Sequence, residues 1–242
     1  MRRLTEFDSL RVVLVATRNP LNIGAAARAM SNFGFSRLRV VSPYDVAFRE
    51  ARSAVGASAL LAKAEEYKSV ADAVADCTLV VGTTAAQQRK PQQPLRLAEE
   101  GARLIRTRLR SSPVALLFGS EKRGLSNQDL SHCHWLMRVP TREKHGSMNL
   151  GQAVAVCLYE LAKDSGSAKA VEKLKPVSAG DAERIGQLLL EALAASGYLK
   201  PGSDASTRDK VRQLVRRLNI PADDAQTWLG IFRQILWKLR DG

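Results

Sequence analysis

The chain has 242 residues, 45% of them hydrophobic, and a net charge of +13, enough for one α/β domain with its own core plus an appendage of roughly 70 residues. The first 165 residues carry 24 basic and 15 acidic side chains and the remainder 13 and 9, so both parts favour a polyanionic partner such as nucleic acid. The start MRRLTEFDSL lacks the apolar core of a signal peptide, and no apolar run approaches the ~20 residues that span a bilayer; the expectation is a cytoplasmic protein with no membrane partner.

Short aliphatic runs at Arg11–Ala16, Leu38–Ser42, Thr78–Thr83, Val114–Gly119 and Leu136–Pro140 predict strands, several too apolar to be half exposed. Helical patterns at Ile23–Phe33, Ser58–Lys68, Pro94–Arg110 and Leu150–Lys163 lie between or after them. This alternation predicts an α/β fold with a doubly wound, mostly parallel sheet. Residues 164–180 are rich in Ser, Gly, Ala and Lys without apolar period and predict a linker between the α/β domain over 1–163 and a small all-helical C-terminal domain over 181–242.

In that tail Ile185, Leu188, Leu189, Ala192 and Leu193 form one helical stripe that stops at Gly197, a left-handed cap. Val211, Leu214, Val215 and Leu218 predict the apolar face of a second helix, with Lys210, Arg212, Arg216 and Arg217 opposite them as candidate RNA contacts. Trp228, Phe232, Ile235, Leu236 and Leu239 predict core packing by a third.

Cys77, Cys133 and Cys157 are an odd number with no CxxC spacing, so neither a disulfide framework nor a zinc site is expected and they read as buried apolar groups. In His132-Cys133-His134 adjacent side chains on a strand point to opposite faces, so no metal is expected there either. The loop TRNPLNIG after the first strand has no G-x-G-x-x-G, and Gly119-Ser-Glu-Lys-Arg-Gly124 lacks the Lys-Ser/Thr of a P-loop. Dinucleotide and triphosphate chemistry both lose support.

Three polar, Gly-bearing segments remain, each where a strand gives way to a helix: Asn22 to Arg28, Phe118 to Leu125 and Gly146 to Leu150. Taken singly, Asn22, Ser147 and Asn149 also suit helix caps and Gly119 and Gly124 suit turns. Together they resemble, in order, the three motifs of the SPOUT superfamily of knotted methyltransferases and its TrmH-like ribose 2′-O-methyltransferases. The matching residues are Asn22, Gly24 and Arg28, then LLFGSEKRGLSN, then VPTREKHGSMNLGQAVAVCLYEL. VVGTTA, GYLKP and KVRQLVRRL extend the similarity to the subgroup of bacterial tRNA methyltransferases that act on nucleotide 32 of the anticodon loop.

The resemblance implies a C-terminal trefoil knot in the catalytic domain, S-adenosylmethionine as cofactor, tRNA rather than DNA as partner, and a homodimer whose active sites use both subunits. It implies cofactor contacts at Thr83, Thr84, Ala85, Gly119, Val139, Gly146, Ser147 and Met148. Arg28 is the implied catalytic residue, with Asn22, Glu121, Ser147 and Asn149 orienting it and the ribose. A guanidinium keeps its proton in proteins, so Arg28 reads as a phosphate clamp and a stabiliser of charge on the 2′-oxygen rather than as a base. Arg18, Arg123, Arg142 and Lys144 join the tail cations as candidate phosphate contacts. Two alternatives stay open: the same chemistry on another tRNA position or on rRNA, and a non-catalytic RNA-binding protein.

Overall fold

The computed structural model describes residues 7–43, 58–85, 92–142, 147–163, 175–199 and 205–241. Seven strands form one sheet: β1 (Leu10–Val15), β2 (Arg37–Val41), β3 (Glu65–Tyr67), β4 (Leu79–Thr83), β5 (Leu95–Leu97), β6 (Val114–Phe118) and β7 (Trp135–Arg138). Their order is β3-β2-β1-β6-β4-β7-β5 and every pairing is parallel.

The strands alternate between two cores, as their two-residue period dictates. Leu10, Val12, Leu14, Leu79, Val81, Val114, Leu116 and Phe118 face one side. There they meet α1 (Pro20–Asn32), α4 (Ala98–Leu109) and α6 (Leu150–Ala162). Val13, Val15, Val80, Ala115 and Leu117 face the other, against α3 (Val70–Ala73), α5 (Asn127–Ser131) and the start of α7 (Ala179–Ala195). Both faces are covered, which is why the strands read as unbroken apolar runs.

Two predicted helices are partly strand. Within Ser58–Lys68 only α2 (Ser58–Ala62) is helical. Glu65–Tyr67 pairs with β2 as an edge strand, held by side chains that the apolar pattern does not register: Arg39 donates to Glu65 at 3.0 Å and the Tyr67 hydroxyl donates to Glu65 at 2.7 Å. Within Pro94–Arg110, Leu95–Leu97 pairs with β7 and the helix begins at Ala98. Three residues are too short a run to show a period.

The tail consists of α7, α8 (Ala205–Arg217) and α9 (Ala225–Asp241), which share a core of Val177, Ala182, Ile185, Val215, Ile220, Ala225, Leu229 and Phe232. Helix α7 ends as expected, with Gly197 at φ +78°. Residues 175–180 are not linker. Pro176 bridges to Pro221, Ser178 caps α7, and the Ala179 and Gly180 N–H groups donate to Cys77 O and Ala75 O at 2.6 and 2.9 Å. The expected apolar faces of α8 and α9 also differ. Val211 and Val215 are buried, but with Gln213 and Arg216 rather than with Leu214 and Leu218, which are 45% and 50% exposed. Helix α9 buries Leu229, Phe232 and Leu236 and leaves Ile235 and Leu239 outside.

Candidate active site

Helix α1 starts where Asn19 accepts a hydrogen bond from the Leu21 N–H at 2.9 Å and Pro20 occupies the first turn. Asn19, not Asn22, is therefore the cap, and the Asn22 side chain is released for another task. It is 9% exposed. Its Nδ2 donates to Glu121 Oε1 at 3.2 Å, and its Oδ1 accepts from Asn149 Nδ2 at 2.7 Å. This chain of three side chains joins the three sequence segments at one point.

Glu121 also accepts from the backbone N–H groups of Arg18 and Asn19 at 3.3 and 3.1 Å. Burial pushes its pKa upward, but its own N–H and those of Asn22, Asn19 and Arg18 outweigh this and hold the carboxyl below its ordinary range. Glu121 is thus a fixed anion that orders the loop before α1. Asn149 has two roles, since its Oδ1 caps α6 by accepting from Gly151 N at 2.9 Å while its amide reaches Asn22. Helices α1 and α6 can approach this closely because Gly151 has no side chain: a Cβ there would lie 2.6 Å from Ala25 Cβ.

Beside this chain lies a cavity of about 520 Å³, within the usual size of a small-molecule site. It is lined by the ends of β4, β6 and β7, the 119–125 loop and the start of α6. Thr83, Thr84, Ala85, Gly119, Val139, Ser147 and Met148 all line it. The Thr83 hydroxyl donates to Leu117 O at 2.8 Å and the Thr84 N–H to Met137 O at 3.0 Å, which fixes the rim. Gly119 admits no side chain, because a Cβ would fall 2.0 Å from the Gly124 carbonyl carbon. Gly124, at φ +66°, closes the turn by donating its N–H to Ser120 O at 2.8 Å. Sequence reasoning did not single out the apolar wall of Leu125, Leu130, Met137, Leu150, Ala153 and Cys157; four of these lie inside the quoted motifs, but as apolar residues they read as ordinary core.

Arg28 is exposed on α1, does not line this cavity, and has no hydrogen bond or ion pair among the described residues. Arg18, Arg123, Arg142, Lys210 and Arg217 are exposed; Gly146 and Lys144 lie outside the described residues. Two tail cations are corrected. Arg216 is 3% exposed, with Nη2 3.5 Å from Glu183 Oε2, and Arg212 donates to Glu183, Asp209 and Ser131 at 3.1, 2.8 and 2.8 Å. Arg216 is held within the tail, and Arg212 also ties the tail to the sheet domain through Ser131.

His134 is half-buried and its Nδ1 accepts from Val80 N at 3.0 Å; burial first, then the Arg216 charge, push its pKa down to about 3. The three cysteines are buried, with thiol pKa values raised chiefly by that burial. Among the described residues no group of His, Cys, Asp or Glu is placed to hold a metal, and no helix is long and apolar enough to cross a membrane.

The SpoU rRNA Methylase family matches residues 9–159. The tRNA (cytidine/uridine-2'-O-)-methyltransferase TrmJ of Pectobacterium atrosepticum is 32% identical over 235 residues, covering 94% of this chain and 97% of that protein. Its counterpart from Salmonella choleraesuis is 30% identical, over 94% of this chain and 96% of its own. The crystal structure of TrmJ from Z. mobilis ZM4 superposes with a TM-score of 0.82 at 30% identity, covering 93% of this chain and 98% of that one. A putative methylase family protein from Neisseria gonorrhoeae gives 0.65 at 28% identity, over 76% of this chain and 95% of its own.

Proposed function

The chain belongs to the SpoU rRNA Methylase family, and from that premise we propose that it methylates a ribose 2′-hydroxyl of tRNA, at nucleotide 32 of the anticodon loop, using S-adenosylmethionine. The observation that carries this reading is the Asn149–Asn22–Glu121 chain beside the 520 Å³ cavity. The activity of the two TrmJ relatives supports the tRNA substrate.

The cavity suits this cofactor chemically. Its apolar wall offers a surface for an adenine ring, and the absence of a side chain at Gly119 lets the 119–125 loop close on its own backbone along the cavity. Thr84, Ala85, Ser147 and Met148 present small groups and backbone around the mouth. When bound, S-adenosylmethionine supplies an electrophilic methyl group. The chain's own residues then have to hold a ribose oxygen in line with it, and positioning of this kind accounts for a large share of catalysis in such displacements.

Arg28 is exposed and does not line its own cavity, which supports a homodimer in which it reaches the partner's site, clamps the phosphate next to the target ribose and stabilises charge on the 2′-oxygen. The exposed Leu21 and Tyr159 on α1 and α6 are apolar surface available to such an interface. The reading further includes a trefoil knot in a 1–163 catalytic domain, a cytoplasmic enzyme, and a tail acting as an RNA-binding extension through Lys210 and Arg217. RNA loops suit the chemistry because their nucleotides splay out without opening a duplex.

The test is transfer of labelled methyl to unmodified tRNA transcripts, with mass mapping of the product beside an Arg28→Ala control. Label on the ribose of nucleotide 32, absent in the control, is expected. Cofactor binding without incorporation into any tRNA overturns the substrate.

A further inference from the structure

A second cleft, of about 1070 Å³, lies on the other side of the catalytic loop. Ser120, Glu121, Lys122, Arg123 and Gly124 line both cavities. It sits at the carboxyl ends of β1, β2 and β3, beside the place where the strand order turns from β1 to β6. Parallel sheets receive ligands at such places.

The backbone at its edge is unusual. Ala16 and Ser42, the residues just past β1 and β2, both line it and both have left-handed φ, +52° and +45°. Neither is glycine, and L residues seldom adopt this region except where surrounding structure enforces it, often at ligand sites. The enforcement is visible: Ala16 N donates to Val41 O at 2.9 Å and Ser42 N to Tyr67 O at 3.0 Å.

The lining is two-sided in character. Val15, Val41 and Val70 supply a buried apolar surface, while Arg18, Lys68, Lys122 and Arg123 are cations around it. The two lining carboxylates are already engaged, Glu121 as described and Asp129 by the Ser126 backbone N–H and hydroxyl at 2.8 and 2.7 Å. An apolar floor under a cationic rim matches a base attached to a phosphate.

We propose that this cleft binds a nucleotide adjacent to the methylated one, its base over the valine floor and its phosphate on Lys68 and Arg18. The inference rests on the RNA methyltransferase reading. A ribose presented to the first cavity across the shared loop has its chain neighbour over the second, so the two cavities together read a dinucleotide step. Lys68, Ser42 and Gln128 thereby join the RNA-binding surface.

The experiment compares the full-length wild type with Lys68→Glu, which reverses the rim charge, and Gln128→Trp, which fills the cleft from its exposed edge. Filter binding to the tRNA transcript should weaken by about tenfold in each, and the salt slope of Lys68→Glu should fall by about 0.7. The KM for tRNA should rise in parallel, with S-adenosylmethionine affinity and Tm at wild-type values. Wild-type RNA affinity in both variants, with the wild type active, overturns this site and leaves the proposed function intact. A wild type that methylates no RNA overturns the proposed function, and the proposal with it. Cytidine monophosphate that binds the wild type while both variants keep full RNA affinity would reassign the cleft to a free nucleotide and likewise overturn the proposal.

Discussion

Two clusters of polar side chains, each assembled from distant parts of the chain, carry opposite meanings. Asn22, Glu121 and Asn149 meet beside an open cavity, whose lining includes the exposed Ser147. Glu183, Arg212 and Arg216 meet between α7, α8 and α5 with His132, whose Nδ1 lies 3.6 Å from Glu183 Oε2, and the group is largely sealed. In the first cluster an amide relay leaves one face free for a ligand. In the second, two guanidinium groups surround one carboxylate. Charge in a sequence therefore says little about contact with RNA until the nearest counter-ion is known.

The largest expected effect tests the chemistry proposed beside the first cluster. Arg28→Ala should lower kcat by about 100- to 1000-fold, the usual cost of removing a donor that stabilises developing charge, with cofactor affinity unchanged. Mixing Arg28→Ala with Gly119→Val, whose side chain collides with the Gly124 backbone, should restore activity if each mixed dimer rebuilds one intact site. No recovery on mixing would place Arg28's action within its own subunit.

The second cluster predicts a loss of stability instead. Glu183→Ala leaves Arg216 buried without its carboxylate and should cost about 3 kcal/mol, at the low end for a broken buried pair because Glu183 is partly exposed, seen as a lower Tm. Arg216→Met, which removes charge and keeps volume, should cost less. The pH dependence follows from the same carboxylate. Burial pushes the Glu183 pKa up, but His132, Arg212 and Arg216 together bring it down to about 2. A depressed carboxylate stabilises the fold above its unfolded value of 4.5 and loses that contribution as pH falls through about 2. Acid titration of Glu183→Gln should lack this component of the wild-type curve.

Asn149 offers a finer cut, because capping and relay use different atoms. Asn149→Asp keeps an oxygen for Gly151 N but removes the amide that donates to Asn22, so Tm should hold while kcat falls by about tenfold. Asn149→Ala should lose both, with about 1 kcal/mol of stability. Equal activity in the two variants, at the wild-type level, would reduce Asn149 to a cap.

These cases also show where the chain is legible. The five long strands and the order of α/β elements follow from apolar runs, since burial on both faces imposes composition directly. The pocket residues Thr83 to Ala85, Gly119 and Val139 are named through the family resemblance alone, and the structure places them at or just past strand ends. Leu95–Leu97 and Glu65–Tyr67 are not, being three-residue edge strands held by pairing and by ionic side chains. Arg216 is misread because a helical wheel orders side chains by angle and contains no partner. Only the fold brings Glu183, 33 residues earlier in sequence, to its guanidinium.

The remaining tail cations test the comparison at its weakest point. Lys210 and Arg217 lie on the same helix as Arg212 and Arg216 but are exposed, and neither has an ion pair among the described residues. If the tail touches RNA, these two carry the interaction. The double variant Lys210→Glu, Arg217→Glu should keep the wild-type Tm and cofactor affinity, while the slope of log K for tRNA against log salt falls by about 0.7–0.9 for each phosphate that is no longer neutralised. An unchanged slope in a filter-binding titration would confine the tail's role to packing, and α8 would then have the same meaning as the Glu183 cluster along its whole length.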